Sequence, residues 1–248
     1  MQFLDIKTIG GSILNRESHD ELLNDNEIRE IIPLYNDYKA NIIISGPSKS
    51  GKTSFLIDLL LNEQNRHEIV TIIAPKKSLE QGKYQNLIND ENIIGYESDT
   101  RYGIPSPKDI LNPDKINIVI FDDILDANKK QNINMIEEYL TNGSRYNCSV
   151  YLLLQALKEL PPRYRNQCKI WCLSAQSSVL ELNEAFNDVF NGDFTKQEIA
   201  QIIRILKKKE NRYKMLICNA NFPVEEGRYR IDDLYIKKEK EPEFRIPK

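Results

Sequence analysis

From Asn41 onward the chain alternates short apolar runs, rich in Ile and Val, with longer amphipathic stretches. The runs predict strands over 41–45, 69–74, 116–121, 149–154, 169–173 and 213–218. Runs with no polar residue at every second position suit strands buried on both faces, as in a parallel sheet. Apolar positions at helical spacing predict helices over 52–62, 78–89, 131–143, 179–190 and 195–208. The last opens on a capping box, Thr195 with Glu198 three residues on, and buries Ile199, Ile202, Ile203 and Leu206 on one face. Strands alternating with helices predict an α/β fold, a mostly parallel central sheet flanked by helices.

Outside this pattern, residues 1–38 read as an N-terminal lead-in, with a Gly10-Gly11 turn and the acidic segment HDELLNDNEIRE before Pro33. Residues 39–220 form the expected domain and 221–248 the expected C-terminal tail. Its end, IKKEKEPEFRIPK, is charged and contains prolines, as a tail or a partner-binding arm would be. There is no internal repeat.

Composition narrows the class. Forty per cent apolar and 29 % charged residues describe a globular chain of 248 residues. Uncharged stretches such as 146–157 and 170–180 fall short of the ~18 residues that span a bilayer, so no membrane partner is expected. Asp5 and Lys7 break the apolar run a secretion signal needs, so the protein is expected not to be secreted. Cys148, Cys168, Cys172 and Cys218 lack paired zinc spacing and read as reduced packing residues. A net charge of -3 argues against a nucleic-acid coating protein but leaves room for a local basic site.

The strongest motif is Gly46-Pro47-Ser48-Lys49-Ser50-Gly51-Lys52-Thr53, followed by Ser54. It is a complete G-x-x-x-x-G-K-[ST] between a predicted strand and a predicted helix. The glycines let backbone N–H groups curl round phosphates, and the helix N-terminus adds partial positive charge. Lys52 is expected at the β- and γ-phosphates of ATP and the Thr53 hydroxyl on Mg²⁺. The segment INIVIFDD ends a core strand in two carboxylates. Asp122 fits a Mg²⁺ ligand beside Thr53, and Asp123 a group that orients or deprotonates the attacking water. Strand-end acids also open ordinary turns; the upstream phosphate loop favours the functional reading. In additional-strand P-loop ATPases a third strand lies between these two, and CSVYLLL ending in Gln155 suits it, with Gln155 facing the γ-phosphate. Arg145 precedes that strand and Arg163 and Arg165 follow it. Any of the three is a candidate for the cation that a neighbouring subunit inserts to stabilise phosphoryl transfer.

The ordered set GPSKSGKT, IVIFDD, SRYNCSVYLLLQ and PPRYRNQCKIWCLS resembles the FtsK-HerA superfamily of P-loop motors. More narrowly it resembles the genome-packaging ATPases of poxviruses, other large cytoplasmic DNA viruses and virophages. The resemblance covers about Tyr35 to Tyr213. It implies a homo-oligomeric ring, pentamer or hexamer, that hydrolyses ATP and moves double-stranded DNA into a preformed capsid in contact with capsid vertex proteins. It implies Arg145 as the trans-acting finger and Gln155 as the sensor. Here one extra residue separates Gly143 from Arg145, and Asp123 stands where cellular relatives carry Glu. The implied location is the host cytoplasm or virus factory, with virion association. No separate nuclease domain is expected within these residues.

Lys196, Arg204, Lys207, Lys208, Lys209, Arg212 and Lys214 cluster against only Glu198 and Glu210. They suit phosphate contacts in a pore, or cations complementing a helix C-terminus. Lys76 and Lys77 are weaker candidates. Two other functions fit the same loop: a nucleotide or small-molecule kinase whose lid carries Arg163 and Arg165, and an ATP-dependent capsid assembly switch.

Overall fold

The apolar runs pair into a ten-stranded sheet in a computed structural model. It describes residues 5–8, 40–61, 68–80, 84, 92–98, 103–124, 130–188, 193–221, 228–231 and 234–237. In chain order the strands are β1 (Asp5–Thr8), β2 (Asn41–Ser45), β3 (Ile69–Ala74), β4 (Ile93–Glu97), β5 (Asn117–Asp122), β6 (Cys148–Leu154), β7 (Ile170–Ser174), β8 (Met215–Asn219), β9 (Tyr229–Ile231) and β10 (Leu234–Lys237). Their order across the sheet is β1-β10-β9-β8-β7-β2-β6-β5-β3-β4. Six strands, β7 to β4 in that order, run parallel, and the remaining four continue the sheet antiparallel from β7. The expected α/β fold with a mostly parallel sheet is the one observed, and β6 lies between β2 and β5.

The helices are α1 (Lys52–Leu61), α2 (Lys76–Leu79), α3 (Pro107–Ile110), α4 (Lys130–Asn142), α5 (Pro162–Arg165), α6 (Val179–Asp188) and α7 (Lys196–Leu206). Side chains of a strand alternate between faces, so a continuous apolar run feeds two cores at once. Ile42, Ile44, Val70, Ile72, Ile118 and Ile120 pack with Leu56, Leu59 and Leu60 of α1. Ile43, Ile73, Val119 and Phe121 pack on the other face with Tyr139 of α4, Leu182 of α6 and Ile202 and Leu206 of α7. Each such fully buried side chain contributes roughly 1.5–3 kcal/mol. The capping box of α7 is formed in both directions: Glu198 N donates to Thr195 Oγ1 at 3.3 Å and Thr195 N to Glu198 Oε2 at 2.6 Å.

Several boundaries differ from the sequence expectation. Tyr213 and Lys214 precede β8 instead of opening it. The buried Asn211 donates to Ile205 O at 2.8 Å, and Lys214 N to Asn211 O at 2.9 Å, so the chain is still turning there. β4 was not anticipated: it is a short edge strand whose half-exposed pattern, IIGYE, contains glycine. β9 and β10 lie within the stretch expected as a tail and extend the sheet past residue 220, and β1 pairs with β10. Most of the helix expected over 78–89, and nearly all of the lead-in, lie outside the described residues. Among the described residues no helix is long and apolar enough to cross a membrane. The four cysteines are buried and form no disulfide, and burial pushes the Cys148 and Cys168 thiols up to about 12.

Candidate functional site

Ligands of open α/β sheets bind beyond the C-terminal ends of the strands, and there β2, β6 and β5 deliver their motifs side by side. Ser45 pairs with Leu154 and Asp122 with Leu153, so the phosphate loop, Gln155 and the two aspartates leave the sheet at one level. The loop is anchored by Gly46 N donating to Leu154 O at 3.1 Å. Lys49 and Gly51 take positive φ, 65° and 96°, which turns successive N–H groups inward as an anion-binding nest. A Cβ on Gly46 would stand 2.4 Å from Ser174 Cβ and 2.8 Å from Ser50 Oγ, so only glycine fits. Ser50 Oγ is buried under the loop without a hydrogen-bond partner. A cradle that admits no Cβ, with an orphaned hydroxyl below it, fits a polyphosphate.

Lys52, in the first turn of α1, donates through Nζ to Gly46 O at 2.6 Å and Pro47 O at 3.1 Å. Burial holds its pKa below the usual lysine value, opposed by the carboxylates of Asp122, Asp123, Glu159 and Glu181. Thr53 follows it. The Thr53 hydroxyl meets the Tyr84 hydroxyl, and Tyr84 donates to Asp122 Oδ2 at 2.6 Å. Thr53 and Asp122 thus offer hard oxygen donors from either side of one buried phenol. Among the described residues no cluster of three or more His, Cys, Asp or Glu forms a metal cage. The Thr53 and Asp122 oxygens fit Mg²⁺, which keeps waters and phosphate oxygens alongside one or two protein ligands.

Asp123 has φ 56°, and its Oδ1 accepts from Gln155 Nε2 at 2.7 Å. The left-handed backbone swings Asp123 off the strand direction and toward β6, so the strand-end acid and the strand-end amide meet over the edge. Pro47, Ser48 and Ser54 complete the loop and first turn, with Ser48 and Ser54 exposed.

The sequence reading missed three residues. Tyr84 is buried against Asp122; it sits in the helix expected over 78–89, where nothing in the spacing signals a link to residue 122. Glu159 Oε2 accepts from Gln155 N at 3.1 Å, and burial raises its pKa, with the Gln155 and Ala156 N–H groups pulling the other way. Glu181 Oε1 accepts from Ser45 Oγ at 3.1 Å and Leu157 N at 3.0 Å, bracing the end of β2 against the turn after β6. An acid in the first turn of α6 also complements the helix dipole.

Arg145 lies elsewhere. It sits, exposed, in the 3-10 turn Gly143–Tyr146 that leads into β6, at the N-terminal edge of the sheet. The seven residues of β6 separate it from Gln155, roughly 20 Å of strand. The turn closes on Asn147 in the left-handed region and is clamped by Asn117, whose Nδ2 donates to Asn112 O, Lys115 O and Tyr146 O at 2.7–2.8 Å. Arg163 is engaged by Tyr164 and by Glu137 of α4, the latter at 3.8 Å. Just beyond Arg165, Gln167 O accepts from Asn41 at the start of β2 at 3.1 Å, so this segment runs back toward the N-terminal edge. Lys207 donates to Ala175 O at 2.9 Å and to Ser177 O, tying α7 to the loop after β7. Lys208 lies 3.7 Å from Glu210, and Lys76 lies 3.8 Å from both Glu80 and Glu97.

A phosphate loop after β2, an acidic strand end on β5 and an intervening strand carrying Gln155 define an additional-strand P-loop NTPase. A family profile described as "Poxvirus A32 protein" matches residues 34–243, and the chain belongs to that family. It is an ATPase of FtsK-HerA type and of the viral genome-packaging class. Among solved structures, B204, the DNA-packaging ATPase from Sulfolobus turreted icosahedral virus, aligns at 17 % identity and a TM-score of 0.54, over 74 % of this chain and 93 % of that one. VirB4 of Thermoanaerobacter pseudethanolicus aligns at 11 % and 0.55, over 95 % and 96 %. The genome packaging NTPase B204 from Sulfolobus turreted icosahedral virus 2, in complex with ATP-gammaS, aligns at 15 % and 0.50, over 74 % and 93 %. These likenesses are of fold. No curated protein matches the sequence.

Proposed function

We propose that this ATPase is the motor that moves double-stranded DNA into a preformed capsid, working as a homo-oligomeric ring of five or six subunits. The observation that carries the proposal is the position of Arg145, exposed at the edge of the sheet opposite its own phosphate loop. An arginine needed at a γ-phosphate and held roughly 20 Å of strand from its own site serves a neighbour's.

In this reading the backbone N–H groups of Ser48, Lys49 and residues 51–54, together with the Lys52 ammonium, bind and orient the β- and γ-phosphates. Thr53 and Asp122 hold Mg²⁺, which neutralises phosphate charge when bound. Asp123, fixed by Gln155, orients the attacking water and accepts its proton; Gln155 reports whether the γ-phosphate is in place. Exposed Arg204 and Lys209 supply sequence-independent contacts to DNA phosphates. Capsid vertex proteins are the docking partners, and the site of action is the host cytoplasm or virus factory, with virion association. The kinase alternative, whose lid would carry Arg163 and Arg165, is less favoured, since Arg163 rests against Glu137 and Tyr164.

The test is ATP turnover by the purified oligomer with and without double-stranded DNA. Several-fold stimulation that fades as salt rises is expected. An oligomer indifferent to DNA overturns the motor in favour of the assembly switch, and γ-phosphate transfer to a nucleoside monophosphate overturns it in favour of a kinase.

A further inference from the structure

Tyr213 is 64 % exposed, a large aromatic left in solvent, and it stands beside the phosphate loop: a Cβ built on Gly51 would lie 4.0 Å from its Cδ1. Its placement is fixed. Asn211 is buried, Arg212 N donates to Lys209 O at 3.3 Å, and Ala175 N to Lys214 O at 2.9 Å, stitching the turn to the end of β7. The Arg212 guanidinium lies 5.3 Å from the ring centroid, a cation–π contact that holds the ring from one side. Asp122, Asp123 and Gln155 all lie on the β5 and β6 side of β2, whereas Tyr213 lies on the β7 and β8 side. A polyphosphate whose γ end meets Asp122 and Gln155 therefore has its nucleoside end toward Tyr213.

We propose that Tyr213 is the nucleobase platform of this site: the base of the bound nucleoside triphosphate stacks on its free ring face. Every base presents a π-face, so stacking is tolerant of base identity. Nucleoside triphosphates, ATP and GTP among them, are the class this platform takes, and discrimination between bases is weak. The inference rests on the ATPase reading and adds to it the part of the nucleotide the loop does not grip.

The test separates base from phosphate. In the full-length protein, Tyr213→Ala is expected to weaken ATP binding by about 5- to 100-fold while leaving inorganic tripolyphosphate binding unchanged. Tyr213→Phe keeps wild-type affinity for both. Tyr213→Trp supplies a fluorophore, against the constant signal of buried Trp171, that ATP and GTP quench and tripolyphosphate does not. Equal ATP affinity in wild type and Tyr213→Ala overturns the platform alone, as does quenching of the Trp variant by tripolyphosphate and ATP alike. Loss of tripolyphosphate binding in Tyr213→Ala also overturns it, because the residue then supports the loop. A wild type that binds neither ATP nor tripolyphosphate overturns the platform and the ATPase reading together.

Discussion

The two edges of the parallel sheet are built on opposite terms. At the C-terminal edge polar groups face each other: Lys52 on the loop carbonyls, Tyr84 on Asp122, Gln155 on Asp123, Glu159 on the backbone of Gln155. At the N-terminal edge the interactions fix a turn while the Arg145 side chain it carries projects, exposed, from it. The first edge is preorganised to receive a ligand within its own chain, and the second presents a charge outward. Strands β5 and β6 belong to both edges, since Asp122 and Gln155 end the strands that Asn117 and the Arg145 turn begin. In the proposed ring, these two strands would link a neighbour's γ-phosphate at one edge to the subunit's own aspartates at the other.

The largest test of this division is Arg145→Ala. ATP affinity is expected to stay at wild type while turnover falls about 10³-fold, the low end of an arginine finger's contribution. Mixing this variant with Asp123→Asn subunits, which retain Arg145, should restore part of the turnover. Steady-state kinetics on the mixture check it; a mixture no faster than either parent breaks the trans assignment.

Contiguity decided what could be read from the chain. The phosphate loop, the IVIFDD strand end and the Gln155 strand are each unbroken segments, and strand order followed from knowing where such strands sit. Tyr84 and Asp122 are 38 residues apart, and their bond exists because Tyr84 packs with α1 on one sheet face. No local period encodes that. β1, β4, β9 and β10 escaped for a different reason: they are three to five residues long and mix polar with apolar positions. Short runs of mixed polarity lack the unbroken apolar signal that makes a long interior strand conspicuous, and β4, at the edge, is half exposed as well. That Arg145 and Gln155 lie at opposite ends of one strand was legible from their order in the chain; the parallel register of β2, β5 and β6 shows that the phosphate loop and Asp122 share the Gln155 end.

At the C-terminal edge, Tyr84→Phe removes the hydroxyl that orients Asp122 and meets Thr53. Outer-shell partners of metal ligands are worth 10–100-fold in metal affinity, so the Mg²⁺ concentration for half-maximal ATP binding should rise about 10-fold. A Mg²⁺ titration of ATP binding checks this, and an unchanged midpoint removes Tyr84 from the site. At the N-terminal edge, Asn117→Ala strips donors from three carbonyls. A loss of about 2 kcal/mol is expected, or roughly 4–8 °C in Tm. Turnover should fall a few-fold at unchanged ATP affinity, since the Arg145 turn loosens while the phosphate loop does not. If ATP affinity falls in step with turnover, the two edges are not separable in this way.

The smallest expected effect comes from Glu159, and it separates the edges by pH. Burial raises its pKa above the ordinary glutamate value despite two backbone N–H partners, so the folded state binds the proton more tightly than the unfolded chain does. The ionised carboxylate therefore costs stability above the folded pKa, and the cost disappears as pH falls below the unfolded value near 4.5. Glu159→Gln should melt about 1 °C above wild type at pH 8, with the gap closing toward pH 4. Arg145→Ala, at the exposed edge, should show a gap that does not change over the same range. Thermal melts of the three proteins at pH 4, 6 and 8 measure it. A Glu159→Gln gap that stays constant with pH would assign the effect to packing, and would leave Glu159 as a brace for Gln155 with no charge of consequence in the pocket.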